Sequence, residues 1–242
     1  MLNVKASNEN HMKINADFSK LATVHTIDQE WIASPMAGVD RKPLDRVGAE
    51  VARATSMVRY APKSHFSPHT HSGGEEFVVL DGVFQDENGD YPIGSYVRNP
   101  PQSKHKPGSQ QGCVIFVKLW QFQPDDRQHV NIQMDNARIA FADATNNVVE
   151  RLLFADQHEQ VKHLTLSKNT QWQSDATNGN EVLVLNGSVL HNQIQLNTHA
   201  WLRVPIGQKL QLQALSEGAT IWMKTGNLAD IDNQINRVER LN

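Results

Sequence analysis

Apolar residues recur along this chain mainly at every second position or in short unbroken runs. This pattern predicts strands at Val51 to Tyr60, Glu76 to Phe84, Ser95 to Arg98, Cys113 to Phe122, Gln160 to Ser167, Glu181 to Val189, Ala200 to Pro205 and Ala219 to Thr225. Turn formers separate the runs, among them Ala61-Pro62, Asn88-Gly89, Pro100-Pro101 and Asn178-Gly179. Three- and four-residue spacing appears only at the end, through Leu228, Ile231, Ile235, Val238 and Leu241, after candidate caps at Asn227 or Asp230. The chain therefore reads as an all-β protein with one short C-terminal amphipathic helix, whose apolar stripe would cover a barrel end or a subunit interface.

The strand pattern repeats. Shifting the sequence by 105 residues lays Phe77-Val78-Val79-Leu80-Asp81-Gly82 on Val182-Leu183-Val184-Leu185-Asn186-Gly187. The same shift pairs Arg98 with Arg203, Pro100 with Pro205, and Gly112–Lys118 with Glu217–Met223, without a gap. Two copies of one strand-rich unit imply two tandem barrels, at residues 1–125 (with an N-terminal extension) and 126–242, joined within the polar stretch Gln123 to Asn136.

A hydrophobic content of 39% with 20% charged residues fits a globular protein. The formal net charge of −3, with no Lys/Arg-rich run, argues against nucleic acid as a partner. Cys113 is the only cysteine, which excludes intrachain disulfides and cysteine zinc clusters and suits a reducing cytoplasm. The first twenty residues hold no apolar leader core, Met12 is a candidate alternative start, and no run approaches the roughly 18 apolar residues of a membrane span.

The candidate chemistry lies in the first copy. His69 and His71 alternate on a strand and so project to one face. Glu75 follows after the Ser72-Gly73-Gly74 turn, and His105 arrives on a later strand. Three imidazole nitrogens and a carboxylate oxygen suit a divalent first-row transition metal. Under the 105-residue shift these positions become Ser174, Ala176, Asn180 and Leu210, which cannot replace an ion's hydration shell. One metal per chain is expected, with a structural second unit. Glu76, next to Glu75 on a strand, should face away from the site. Arg53 and Arg59, six residues apart on one strand face, are candidates to line the pocket, against the alternative of a solvated face. Phe77 and Tyr96 are further pocket candidates, with barrel filling as the competing role, and Cys113 should be buried.

HTHSGGEEFVVLDG followed by GSYVRNPPQSKH resembles the two signature motifs of the cupin superfamily, a metal-binding jelly roll, with the ligands at His69, His71, Glu75 and His105. Lys63 and Gln102 stand where those motifs usually carry glycine, and Ser109 where asparagine is common. Glu75-Glu76, Asp86-Glu87-Asn88-Gly89, Tyr96-Val97-Arg98-Asn99-Pro100-Pro101 and Gly112-Cys113 resemble the ChrR-like cupins more narrowly, from about Trp31 to Phe122. That family is named for an anti-sigma factor whose cupin follows a zinc module. The module needs Cys-x-x-Cys, which is missing here, so a sigma factor is not expected as partner.

The resemblance implies a two-barrel cupin carrying zinc as found, with iron, manganese or nickel as alternatives. It also implies pairing into a homodimer. Two functions fit. One is binding or sensing of a small oxidised or carbonyl-bearing molecule, as in a stress response. The other is a metal-dependent dioxygenase that cleaves a diketone or hydroxy-ketone, since such a metal keeps open positions for ligands.

Overall fold

The computed structural model describes residues 13–143, 145 and 147–242, so the candidate start at Met12 and the residues before it lie outside the described residues. The main strands are β1 (Val39–Gly48), β2 (Ala52–Tyr60), β3 (His69–His71), β4 (Glu75–Asp86), β5 (Gly89–Pro92), β6 (Ser95–Asn99), β7 (Ser103–His105) and β8 (Cys113–Leu119). They continue with β9 (Val130–Gln133), β10 (Ile139–Asp143), β11 (Val148–Ala155), β12 (Gln160–Leu166), β13 (Gln171–Gln173), β14 (Asn180–His191), β15 (Ile194–Asn197), β16 (Trp201–Val204) and β17 (Gln211–Thr225). One helix, α1 (Ile231–Glu239), follows a single 3₁₀ turn at Asn227–Asp230. Among the described residues no helix is long and apolar enough to cross a membrane.

All pairings are antiparallel, and two barrels result, as the sequence predicts. The first large sheet runs Lys13–Ile14, β1, β2, β8, β4, β6, β9, the second runs β10, β11, β12, β17, β14, β16, Ala22–Val24, and β3 and β7 form a separate two-stranded sheet. The expected border at 125/126 is thus crossed both ways. Ala22–Val24 pairs with β16 of the second sheet, and β9 pairs with β6 of the first. The helix crosses too, packing on β1 and β2 of the first barrel.

The repeat is visible as matched elements. β4 and β14 are both twelve residues long and offset by 105, and β5 and β15, each of four residues, share that offset. One correction applies: Leu119 lies opposite Glu75, and Thr225 opposite Asn180, so β8 and β17 correspond with an offset of 106 rather than 105. The gapless alignment Gly112–Lys118 onto Glu217–Met223 slips by one residue because β17 itself holds one extra residue between Gln213 and Ala219, beside a register shift in its pairing with β14.

Strands β4 and β14 read as unbroken apolar runs because both of their faces are buried. Phe77 and Val79 point into the first barrel with Val58, Phe66, Phe84 and Ile115. Val78 and Leu80 point the other way, onto a core between the barrels that includes Met57, Tyr96, Phe116, Leu183, Trp201 and Trp222. Phe116 and Trp222, counterparts at the 106 offset, meet there edge to face at 5.1 Å.

Charged groups in this contact are exchanged reciprocally. Lys118 Nζ donates to Glu181 Oε2 at 2.7 Å, and its counterpart Lys224 Nζ donates to Glu76 Oε2 at 2.6 Å, all four side chains being at most 2% exposed. Arg98, clasped between the Phe122 and Phe154 rings, reaches Asp126 and Glu159, while its counterpart Arg203 reaches Asp45. Glu76 does face away from the metal motif, as expected, but into this buried network rather than toward solvent.

The two longest strands not expected from sequence are β1 and β11. β1, VDRKPLDRVG, is charged and carries Pro43, which lacks an amide donor; the strand absorbs it at a register shift between Pro43 and Asp45. β11 was concealed by its polar Glu150-Arg151 pair.

Candidate metal centre

The site is assembled from β3, β7 and the start of β4. His69 and His71 are the two ends of β3, so their side chains share a face. β7 pairs with it in antiparallel register, His105 opposite His69 and Ser103 opposite His71. The Gly73-Gly74 turn then returns the chain to Glu75. Side chains are excluded at both glycines: a Cβ on Gly73 would fall 2.1 Å from the Trp120 ring and one on Gly74 2.5 Å from the Phe122 ring, and Gly74 has φ +78°. Those two rings cover the turn. Lys63 and Gln102, at the usual glycine positions, keep glycine-like backbone, with φ of +61° and +71°; the Gln102 amide donates to the His71 carbonyl at 2.8 Å.

One nitrogen from each of His69, His71 and His105 falls within 4.8 Å of the other two. His71 Nε2 and His105 Nε2 are 2.9 Å apart, and Glu75 Oε2 lies 3.4 Å from the first and 3.6 Å from the second. Asn99 Nδ2 donates to the same carboxylate oxygen at 3.2 Å. His71, Glu75 and His105 are buried, whereas His69 is exposed at the rim. The cluster thus sits in the mouth of the first barrel, with one side open to solvent.

Three residues at the tip of the β4–β5 hairpin clamp the segment that carries His105. Asp86 Oδ2 lies 3.3 Å from His105 Nδ1 and also accepts from the Tyr91 hydroxyl. Glu87 Oε2 accepts the Lys106 amide at 2.6 Å, and Gln85 Oε1 accepts the Gln110 amide at 2.8 Å. An imidazole that gives Nδ1–H to a carboxylate presents a bare Nε2 lone pair. His105 Nε2 then points its lone pair at His71 Nε2. That close approach of two ring nitrogens beside a carboxylate fits a shared cation and is otherwise relieved only by a proton between them.

Electrostatics divide the pair. Burial lowers the His71 imidazole below its ordinary pKa, Glu75 opposing. Burial also acts to lower His105, but the Asp86 hydrogen bond and then Glu75 outweigh it, leaving His105 above its ordinary value. Burial, with Glu75 adding to it, pushes the Tyr60 phenol up and keeps it protonated.

Of the four pocket candidates, one belongs to this barrel's interior. Phe77 stacks 4.7 Å from Phe84, whose ring lies 5.8 Å from His105, so it forms the layer beneath the site. Arg53, Arg59 and Tyr96 lie elsewhere. Arg53 is fully buried on the opposite face of β2, holding Asp45, Gln121 and Gln234 of α1. Arg59 shares that face but is exposed and pairs with Asp40 at 2.7 Å. Tyr96 donates to Glu76 in the contact between the barrels at 2.6 Å. Alternation placed both arginines on one face correctly, but that face is the outer one. Asp86, Asn99 and Tyr60 were missed; the Asp86-Glu87-Asn88-Gly89 turn was visible in sequence but carried no hint that it folds back on His105.

In the second barrel the Ser174 amide donates to the Leu210 carbonyl at 3.0 Å, in the same place as the β3–β7 pairing. Leu210 there is buried in an apolar core with Leu164, Leu166, Val182 and Leu212. Among the described residues the first-barrel histidines form the only three-donor cluster.

The sequence profile of the ChrR cupin-like domain family matches residues 19–123. The first barrel with its flanking strand is therefore a ChrR-like cupin. No curated protein matches the chain. Solved structures share the two-barrel fold at low identity. A candidate dioxygenase from Nostoc punctiforme is 14% identical, with a TM-score of 0.66 over 87% of this chain and 84% of that one. The protein YlbA from Escherichia coli is 12% identical, with a TM-score of 0.66 over 90% and 94%. The pirin YhhW from E. coli, in complex with nickel(II), is 13% identical, with a TM-score of 0.62 over 85% and 98%.

Proposed function

We propose that the first barrel holds one divalent transition metal through His69, His71, Glu75 and His105, and that it binds or senses a small oxidised or carbonyl-bearing molecule there. The observation that carries this reading is the convergence of three imidazoles within 4.8 Å beside the Glu75 carboxylate, on a rim where His69 meets solvent. The donor set, three nitrogens and a hard oxygen, suits zinc, iron, manganese or nickel. When bound, such an ion supplies a Lewis-acid position at which a carbonyl oxygen can coordinate.

The chain's own residues do the rest. Asp86 fixes the tautomer of His105, and Asn99 holds the Glu75 carboxylate. Phe84 and Phe77 floor the mouth with apolar surface, and Trp120 and Phe122 cover the turn before Glu75. The acids nearest the histidines are already engaged in these supporting contacts, and Tyr60 is held as a neutral phenol, so binding is favoured over turnover. The test is calorimetric titration of zinc- and iron-loaded protein with a panel of α-diketones and hydroxy-ketones, with oxygen uptake followed in parallel. Metal-dependent binding without oxygen consumption supports the reading, and sustained oxygen uptake by the iron form would replace it with a dioxygenase.

A further inference from the structure

The second barrel lost its ligands but kept its mouth. A cavity of about 600 Å³, within the range of small-molecule sites, opens at the end of this barrel that corresponds to the metal mouth of the first. Its wall includes Ser174, Ala176 and Thr225, the counterparts of His69, His71 and Leu119.

New polar groups have been built into that wall. Glu150 pairs with Leu164 and Lys162 with Met223, so both charged side chains lie on the face that lower down carries the barrel's apolar core. Lys162 Nζ donates to Glu150 Oε2 at 2.7 Å, and the Trp172 indole Nε1–H donates to Glu150 Oε1 at 2.8 Å. The pair is partly buried, and such a pair contributes little net stability, so folding alone does not require it. It is internally neutral, and the carboxylates of Asp143 and Asp175 also line the cavity. Lys162 retains N–H donors beyond the one given to Glu150.

Trp172 leans on the apolar core and contributes to both this cavity and a neighbouring groove of about 500 Å³. Gln171 and Gln173 also border both, and Gln211 and Gln213 lie opposite them across the β13–β17 ribbon. Each side-chain amide both donates and accepts, which matches hydroxyl groups that do the same. Phe141, half exposed, adds a second aromatic surface at the rim. Carboxylate and amide side chains beside flat aromatic surfaces favour a ligand with many hydroxyls and apolar C–H faces.

We infer that the mouth of the second barrel is a metal-independent binding site for a neutral polyhydroxylated molecule of mono- or disaccharide size. The test uses the full chain in metal-loaded and EDTA-treated forms. Each is titrated with glucose, galactose, maltose and cellobiose, and with acetate and ethylamine as charged controls, followed by saturation-transfer NMR and calorimetry. At least one sugar is expected to bind with equal affinity in both forms. Lys162→Met, which leaves Glu150 its indole donor, should weaken that binding at least about tenfold, equivalent to about 1.4 kcal/mol. Ser174→Trp, which fills the mouth from its rim, should abolish it while the melting temperature stays near that of the parent.

The inference is overturned if no sugar binds at about 20 mM, or if acetate or ethylamine binds more tightly than any sugar. It is also overturned if sugar binding disappears with the metal or survives unchanged in folded Ser174→Trp. Should that variant fail to fold, Lys162→Met decides: unchanged sugar affinity there overturns the site. Because the metal-free form is assayed directly, failure here is distinguishable from failure of the metal-site proposal.

Discussion

Asp86 shows how one side chain outside the metal motif can govern a histidine within it. Its carboxylate meets His105 Nδ1, the Tyr91 hydroxyl and the Asn88 amide. In the second barrel, where His105 is replaced by Leu210, the counterpart of Asp86 is His191, which serves a backbone carbonyl, that of Gln211. The acid accompanies the histidine. Asp86→Ala should therefore lower metal affinity about 10- to 100-fold, measured by competition with a chromophoric chelator. Tyr91→Phe, which leaves the carboxylate on His105, should change it far less. Equal affinities in the parent and Asp86→Ala would sink this role. At this scale the sequence was readable where spacing fixes geometry: His69 and His71 on one strand, and His105 at motif distance. It was not readable where a hairpin folds back, as at Asp86. Nor was it readable where alternation gives two faces without saying which is inside, as for Arg53 and Arg59.

At the scale of elements, β8 and β17 each carry a lysine that reaches across to a glutamate of the other barrel. Burial alone would raise the Glu181 carboxyl, but the Lys118 ammonium and then the Arg53 guanidinium outweigh it and hold the group down at about 2. An unfolded glutamate titrates near 4.3. A folded pKa below the unfolded one gives stability that is fully present above about pH 4.3 and is lost as pH falls toward 2. Urea midpoints for the native chain should accordingly drop across that window. Glu181→Gln should be less stable at neutral pH, by about 3–5 kcal/mol because Lys118 is left buried and unpaired, and its midpoint should fall less on acidification. A variant with the parental pH profile would contradict this. Strands such as β4 and β14 were legible because continuous apolar runs announce two buried faces. β1 was not, because its charges are buried by partners distant in sequence, such as Arg203 on Asp45.

Over the whole molecule the repeat explains the two barrels, but the strand exchange makes them interdependent. Residues 1–125 alone would lack β9, α1 and the Lys224 partner of Glu76, while residues 126–242 alone would lack Ala22–Val24 and the Lys118 partner of Glu181. Either fragment should show poor dispersion in its amide NMR spectrum, with order restored on mixing. A well-folded isolated half would contradict that interdependence. That the second barrel holds no three-donor cluster among the described residues was readable from Ser174, Ala176, Asn180 and Leu210, whereas its polar mouth was not, because Glu150, Lys162 and Trp172 converge only in three dimensions. The central claim, a single metal centre in the first barrel, is tested most directly by elemental analysis of the purified chain and of His71→Ala. The expected result is close to one transition-metal ion per chain, falling nearly to zero in the folded variant. Two ions per chain, or unchanged loading of His71→Ala, would contradict it.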